Sequence, residues 1–135
     1  MVKKTPNIYI YAIGRRKSAV ATIKLYKGKG ESLVNDLVAD KYFPGSTLKI
    51  NLDKPFSTTK TMDKYHFTAK ISGGGKNGQL EALVLAVARA LKKDEADFGP
   101  LLRAAGLLTV DSRVRERRMV GTGGKARRQK QSPKR

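Results

Sequence analysis

The spacing closest to a known phosphate-binding motif lies in one loop, Gly73-Gly74-Gly75-Lys76-Asn77-Gly78, which fits the pattern G-x-G-x-x-G. Where such a loop opens a helix, its backbone amides can bind a phosphate group, and the helix dipole favours the negative charge. A dinucleotide site is one interpretation, with Asp94 or Asp97 about 20 residues further on for the ribose. No Gly-Lys-Ser/Thr step follows, however, and the chain lacks the further βα units that would build a dinucleotide crevice. We therefore expect Gly73, Gly74 and Gly75 to bind one backbone phosphate of a nucleic acid, assisted by Lys76.

That loop also has a purely structural interpretation, a tight turn from strand to helix that needs positive φ, and this is compatible with phosphate binding. A second cluster, Arg15-Arg16-Lys17, is expected at the tip of a hairpin. Charges at such tips are usually only solvated. Three in a row on a chain this basic favour contacts with phosphates.

Residues for catalysis or metal binding are scarce. The sequence has no cysteine and one histidine, which excludes thiolate sites, disulfides and any histidine cluster. His66 falls on the polar side of its segment, so we expect it to be exposed or to face nucleic acid. Asp94, Glu95 and Asp97 gather at a helix end, where caps and loop charges are more typical than an acid/base pair. The sequence thus predicts no catalytic residue, no metal and no cofactor.

The composition indicates a polyanionic partner. The chain has 135 residues with 29 Lys+Arg against 11 Asp+Glu, a formal net charge of +18, and its length suits one domain or two at most. Because these positive charges repel one another, the chain is expected to bind a partner that neutralises them. Nucleic acid is the first candidate, and an anionic membrane surface is the second. The longest apolar run, 82–88, is far shorter than a membrane-spanning helix. With nine aromatic residues and no paired aromatic platform, we expect recognition of phosphates and RNA shape more than base stacking.

Half of the net charge lies at the carboxyl end. Residues 112–135 hold ten Lys/Arg and one Glu. They contain too few apolar side chains to offset the entropy of ordering them. We therefore predict a globular RNA-binding domain at 1–111 and a basic tail at 112–135 that is disordered when free and ordered on a partner, although a merely solubilising tail is the alternative. The tail residues expected to bind RNA include Arg113, Arg115, Arg117, Arg118 and Lys125.

The amino-terminal segment resembles a transit peptide only in charge. Residues 1–30 contain eight Lys/Arg and no acid. Ile8, Ile10 and Ala12 nevertheless alternate with other side chains at the period of a strand rather than of an amphipathic helix. We expect the mature protein to begin here and to remain in the cytoplasm.

Alternating patterns predict strands at 8–13 and 18–26, joined by a turn at 14–17, and a short strand at 32–34. Two further strands are predicted at 48–52, ending before Pro55, and at 65–71. A helical turn is predicted at 36–43. A longer helix, capped by Asn77, follows from apolar residues at helical spacing: Leu80, Leu83, Val84, Val87 and Leu91. Lys92 and Lys93 close it, and a short helix runs from near Asp97, with Pro100 in its first turn, to Gly106. These elements predict an α+β two-layer sandwich, a sheet covered on one face.

Several of these segments together resemble one protein family. The run Gly73-Gly74-Gly75-x-x-Gly78-Gln79-x-x-Ala82-x-x-x-Ala86-x-Ala88-Arg89-Ala90-Leu91 is similar to the signature of the small-subunit ribosomal protein S9 family, bacterial type. The segments 14–21, 42–44 and 105–109 and the ending Lys134-Arg135 resemble the same family. The resemblance covers residues 8 to 135.

The resemblance implies a fold shared with the second domain of ribosomal protein S5 and a place in the head of the small subunit. There the protein would bind small-subunit ribosomal RNA beside neighbouring head proteins. It also implies that Arg127, Arg128 and Lys130 lie on ribosomal RNA, while Lys134 and Arg135 contact peptidyl-site tRNA. The segments 121–124 and 131–133 depart from the family's usual ending, so they bear on the path of the tail.

Two other functions stay open at this point. One is a basic nucleic-acid-binding protein that acts off the ribosome, on messenger RNA or DNA. The other, a more distant one, is a nucleotide-binding enzyme. No membrane partner and no small-molecule substrate are expected.

Overall fold

A five-stranded sheet forms one layer of the protein in the computed structural model, which describes residues 9–121. The strands are β1 (Ile10–Arg16), β2 (Ala19–Lys27), β3 (Leu33–Val34), β4 (Leu37–Val38) and β5 (Tyr65–Ser72), in the spatial order β1-β2-β5-β3-β4. All neighbouring pairs are antiparallel except β3 and β5, which are parallel.

The second layer is helical. It contains α1 (Ala39–Tyr42), α2 (Ser46–Thr59), α3 (Lys76–Asp94) and α4 (Phe98–Ala104). The long helix α3 packs on β1 and β2 and is itself covered by α2 and α4. Nine of its 19 residues are buried for this reason. The predicted mixed α+β fold is confirmed.

Small side chains bring α3 close to the sheet. Ala12, Ala21 and Ile23 of the sheet are buried on the face that α3 covers, and Ala82 and Ala86 of α3 are fully buried. The approach is closest at a glycine: a Cβ built on Gly14 would lie 2.0 Å from the carbonyl oxygen of Ala82 and 2.6 Å from the amide nitrogen of Ala86. The alanines of the sequence signature therefore have a packing role.

Two cations of α3 bond to the outer edge of the sheet. β1 is an edge strand. The Arg89 guanidinium donates a hydrogen bond of 2.7 Å to the Ile13 carbonyl, and the Lys93 ammonium donates one of 2.8 Å to the Tyr11 carbonyl. These side chains thereby occupy two main-chain acceptors that a free edge would expose.

The last residue of α3 is fixed to the sheet from within. The Asp94 side chain is only 7% exposed, accepts a hydrogen bond from the Tyr65 hydroxyl, and lies 3.1 Å from the Lys27 ammonium. Burial, reinforced by this carboxylate, raises the pKa of Tyr65 well above its usual range. Asp94 is thus a structural residue, which removes it as a ribose ligand.

The strand expected at 48–52 is wrong: these residues belong to α2. Leu52, Pro55, Phe56 and Thr59 are buried at helical spacing, while Ile50, which alternation would have buried, is 66% exposed. Three apolar residues at every second position fit one side of a strand, but Leu48 and Leu52, four residues apart, also share one face of a helix whose buried stripe continues past the proline. Pro55 lies inside the helix rather than beyond a strand.

Other boundaries need smaller corrections. β1 continues through Gly14 to Arg16, so the hairpin turn consists of Lys17 and Ser18 alone, with Lys17 at a φ of +54°. Asn77 does not cap α3, because Gly75 occupies the capping position. The helical turn predicted at 36–43 is present only at Ala39–Tyr42, because Leu37 and Val38 form the strand β4 instead. The predicted strands at 8–13, 18–26, 32–34 and 65–71, and the helices ending near Lys93 and Gly106, are confirmed to within a few residues.

Candidate nucleic-acid interface

The fold brings several predicted site residues to one end of the sheet. A Cβ at Gly73 would lie 2.4 Å from the Ser18 carbonyl oxygen, and one at Gly78 would lie 3.6 Å from the Arg16 carbonyl oxygen. The glycine loop and the β1–β2 hairpin are therefore in direct contact. We call this region the hairpin end, and it comprises Arg15, Arg16, Lys17, Gly73, Gly74, Gly75, Lys76 and Arg113.

The glycine loop is shaped by two residues in the left-handed region, Gly73 at a φ of +74° and Gly74 at +65°. Gly75 differs, since its φ is −98° and a Cβ there would meet nothing within 4 Å. The turn with positive φ that the sequence predicts is therefore present at Gly73 and Gly74 and does not extend to Gly75. The first intrahelical bond runs from the Gln79 amide to the Gly75 carbonyl, so the amides of residues 76–78 lie ahead of the helical ladder, as an anion site requires.

A side-chain network that we did not predict holds this loop. The side-chain nitrogen Nε2 of Gln79 donates a hydrogen bond of 3.0 Å to the Gly73 carbonyl, and the Tyr42 hydroxyl donates one of 2.8 Å to the side-chain oxygen of Gln79. Asn35 in turn pairs with both main-chain groups of Ile71, at 2.9 and 3.0 Å. The sequence did carry one signal for this network. Both Gln79 and the segment 42–44 match the family, and both support the glycine loop.

Lys76 is oriented by aromatic residues. Its ammonium donates to the Tyr42 carbonyl over 3.1 Å and lies 3.5 Å from the centroid of the Tyr42 ring. This group has three N–H donors, of which the carbonyl takes one. Its charge therefore stays close to the start of α3 while the aromatic contacts fix its position.

Arg16 is engaged inside the protein. Its Nε lies 2.6 Å from a Glu81 carboxylate oxygen, Nη1 donates to the Arg113 carbonyl over 2.8 Å, and Nη2 lies 3.4 Å from Asp111. The side chain is only 12% exposed. Arg16 therefore clamps residues 111–113 against α3, whereas Arg15 and Lys17 are exposed.

The clamp extends to the next arginine. The Arg113 side chain donates to both Asp111 carboxylate oxygens, with shortest distances of 2.9 and 2.7 Å, and the Arg113 backbone amide donates to the same carboxylate over 3.1 Å. These bonds hold the pKa of Asp111 well below its usual range. A depressed pKa contributes stability that is complete above the unfolded-state value of about 4 and is lost as the pH falls through the lower folded-state value. The Asp111 contacts should therefore be intact at every pH above about 4.

Replacing Arg16 with Gln is expected to loosen residues 111–118 and to lower the free energy of unfolding by about 1 kcal/mol. The loss is small because Glu81 is well exposed, and solvent screens its ion pair with Arg16. Trypsin should then cleave at Arg115 and Arg117 about fivefold faster at neutral pH. Arg15→Gln removes the same charge from an exposed side chain and serves as the control. Equal cleavage rates in the two variants would mean that Arg16 does not hold this segment.

Replacing Gly74 with Val is expected to cost more than about 1 kcal/mol of stability or RNA affinity, because a Cβ would lie 3.1 Å from that of Ala19 at a φ of +65°. Gly75→Ser is the control, since a serine suits this capping position. Urea unfolding and RNA titration measure the two effects. Unchanged values for Gly74→Val would make the loop an ordinary connection.

From Leu107 onward the described chain contains neither helix nor strand. Arg113, Arg115, Arg117 and Arg118 lie in this segment and are all exposed. The remaining predicted contacts lie outside the described residues: Lys125, Arg127, Arg128, Lys130, Lys134 and Arg135.

His66 lies on the uncovered face of the sheet, as expected, but it is half-buried. Its ring stacks on Tyr26 with centroids 5.2 Å apart, and Nδ1 donates to the Gly28 carbonyl over 3.1 Å.

Within residues 9–121 no group of three or more His, Asp or Glu side chains is placed to hold a metal ion. Charged residues interrupt even the long helix α3, and no helix in the described part of the chain could cross a bilayer.

Together these features define the class: a basic α+β protein whose cations and phosphate-compatible loop gather at one end of a sheet. Comparison with known proteins agrees. Residues 14–135 match the family model described as ribosomal protein S9/S16. A "Small ribosomal subunit protein uS9" from Rickettsia felis is 43% identical over 99% of this chain and 86% of its own length, and one from Rickettsia conorii is 42% identical over the whole chain and 88% of its own length.

The chain belongs to the ribosomal protein S9/S16 family. The resemblance inferred from the sequence is confirmed, and both of these relatives are bacterial. The family is non-enzymatic and serves translation, which settles the question of catalysis.

Proposed function

We propose that the protein is a structural constituent of the small ribosomal subunit and that it binds ribosomal RNA through the hairpin end and the basic tail. The carrying observation is the contact between the glycine loop and the β1–β2 hairpin, which brings the start of α3 beside the hairpin that carries the exposed Arg15 and Lys17. The names of the two bacterial relatives, both small-subunit ribosomal proteins, support this assignment. The protein would accordingly work in the cytoplasm as part of the ribosome.

Further proposals concern the place of the protein in the small subunit and its division into a domain and a tail. The single covered face of the sheet supports the arrangement shared with the second domain of ribosomal protein S5. Membership of the family supports docking in the subunit head beside other head proteins. Residues 1–111 would form the RNA-binding domain, and 112–135 would become ordered on RNA. The Arg16 clamp supports this boundary, because it holds residues 111–113 where the tail leaves the domain.

Co-sedimentation tests the proposal directly. The tagged protein should travel with small subunits at high magnesium and remain with them through a second gradient. A protein acting off the ribosome would instead stay at the top of the gradient or follow messenger RNA or DNA. Recovery outside the small-subunit fractions would contradict the proposed function.

We further propose that Lys134 and Arg135 contact peptidyl-site tRNA, while Arg127, Arg128 and Lys130 bind ribosomal RNA. The support is the resemblance of the ending to the family. A lysine and an arginine can each make charge-assisted bonds to phosphates.

Deleting Gln131 to Arg135 is therefore expected to leave the domain docked, because only two of 29 basic residues are lost. Dissociation of peptidyl-site tRNA from the subunit should become several-fold faster, since charge-assisted contacts worth about 1.5–3 kcal/mol each are removed and partly shared by others. Lys134→Gln with Arg135→Gln keeps the length and isolates the charge. An unchanged dissociation rate, with the truncated protein present, would mean that the tail ends on ribosomal RNA.

A further inference from the structure

Within residues 9–121, no helix covers one face of the sheet, and we call it the open face. Alternation along β2 and β5 turns Lys24, Lys70 and the hydroxyls of Thr22 and Thr68 toward it, while Ile23 and Ala69 face the core. Both lysines are exposed. The face is therefore formed by rigid strands whose other side is packed against α3.

Aromatic rings close one end of the open face. Tyr9 meets Tyr26 edge to face with centroids 6.0 Å apart, and Tyr26 stacks on His66. Lys24 places its ammonium 4.9 Å from the Tyr9 centroid. A Cβ on Gly30 would lie 2.9 Å from the His66 ring, so the following loop packs on the end of the row. These contacts hold the rings and leave a fixed surface beside the lysines.

The open face has the charge pattern of an anion-binding surface. None of the outward-facing residues of β1, β2 and β5 is acidic. At the β1 edge the face meets a cleft of about 530 Å³, which is lined by Tyr11, Arg89, Lys92 and Lys93. Ammonium and hydroxyl donors without competing carboxylates suit the phosphates and 2′-hydroxyls of an RNA backbone.

The open face extends away from the hairpin end. Lys24 lies five residues along β2 from Ala19, which is roughly 17 Å at the rise of a strand. Lys70 is nearer, because it lies opposite Thr22 and three residues before Gly73. None of Lys24, Lys70 or Lys92 was predicted from the sequence to bind RNA, and a contact confined to the hairpin end does not include Lys24.

We propose that the open face is a second RNA-binding surface, on which Lys24 and Lys70 bind backbone phosphates of ribosomal RNA. The inference rests on the proposed function and adds a contact independent of the tail. Because the strands are already ordered, binding there costs little conformational entropy.

The test compares two variants that lose equal charge: Lys24→Gln with Lys70→Gln, and Lys41→Gln with Lys49→Gln in the helical layer. Each is titrated with purified small-subunit ribosomal RNA at several salt concentrations. Loss of two phosphate contacts should weaken binding roughly 25- to 60-fold near 0.1 M salt and lower the slope of log K against log salt by about 1.4–1.8. The control variant should change affinity less than about threefold, and both should unfold at the wild-type urea midpoint.

Lysine acetylation of the wild-type protein, read by mass spectrometry, gives a second measurement. RNA should protect Lys24 and Lys70 and leave Lys41 and Lys49 reactive. Equal affinities and slopes for the two variants, with normal wild-type binding, would overturn the inference. Protection of Lys24 and Lys70 that arises only in assembled subunits would also overturn it, because a protein would then cover the face. Failure of the wild type to bind would overturn the proposed function itself.

Discussion

Raising the salt concentration from about 50 to about 200 mM is expected to weaken binding to small-subunit ribosomal RNA by about 10³- to 10⁵-fold. This range corresponds to 6–10 phosphate contacts, which release condensed counterions when they form. The chain has 29 Lys+Arg, so that number requires only a fraction of its cations. Titration of a labelled RNA fragment across the salt range measures the slope directly.

A chain ending at Gly121 provides the matched comparison, because it lacks six of the 29 basic residues. Its slope should be smaller than that of the full chain, in proportion to the tail contacts that are lost. A neutral osmolyte at equal osmolarity should leave the affinity of both unchanged. A flat salt dependence for the full chain would contradict recognition by phosphate neutralisation.

Replacing Gly14 with Ala is expected to lower the free energy of unfolding by about 3 kcal/mol or more. The added Cβ would lie 2.0 Å from the Ala82 carbonyl oxygen, and backbone atoms of α3 cannot move aside as a flexible side chain can. The helix would have to shift away from β1 and β2, which opens the core along its length.

Gly99→Ala is the matched control, since it adds the same methyl group where the nearest atom is a flexible Lys92 carbon at 3.6 Å. Its stability should equal or slightly exceed that of the wild type, because alanine favours helices. Urea unfolding measures both variants. A loss under about 1 kcal/mol for Gly14→Ala would mean that α3 does not approach the sheet this closely.

The sequence predicts the elements with long, regular patterns. Nineteen residues with a helical stripe define α3, and eight alternating residues define β5, whereas the short alternation at 48–52 matched strand and helix equally well. The burial of Phe56 beyond Pro55 decides for the helix, and that burial depends on tertiary contacts. Tertiary packing therefore determined the class of this element.

The candidate site was predicted only in part. The sequence identified the glycine loop and the hairpin as separate cationic segments, and their contact depends on the packing of α3 against β1 and β2. The internal use of Arg16 could not be anticipated, because its partners Glu81 and Arg113 lie 65 and 97 residues away. The aromatic row was also missed, since Tyr26 and His66 are neighbours only through the register of β2 and β5.

The bonds from Arg89 and Lys93 to the edge strand have a consequence for the protein before it is assembled. An uncovered edge can recruit a strand from another copy, and self-association of this kind leads to aggregates. With the Tyr11 and Ile13 carbonyls already bonded, an incoming strand would have to displace two cations and form its ladder beside positive charge. The same two side chains that fasten α3 to the sheet therefore keep newly made chains from adding to one another by edge pairing.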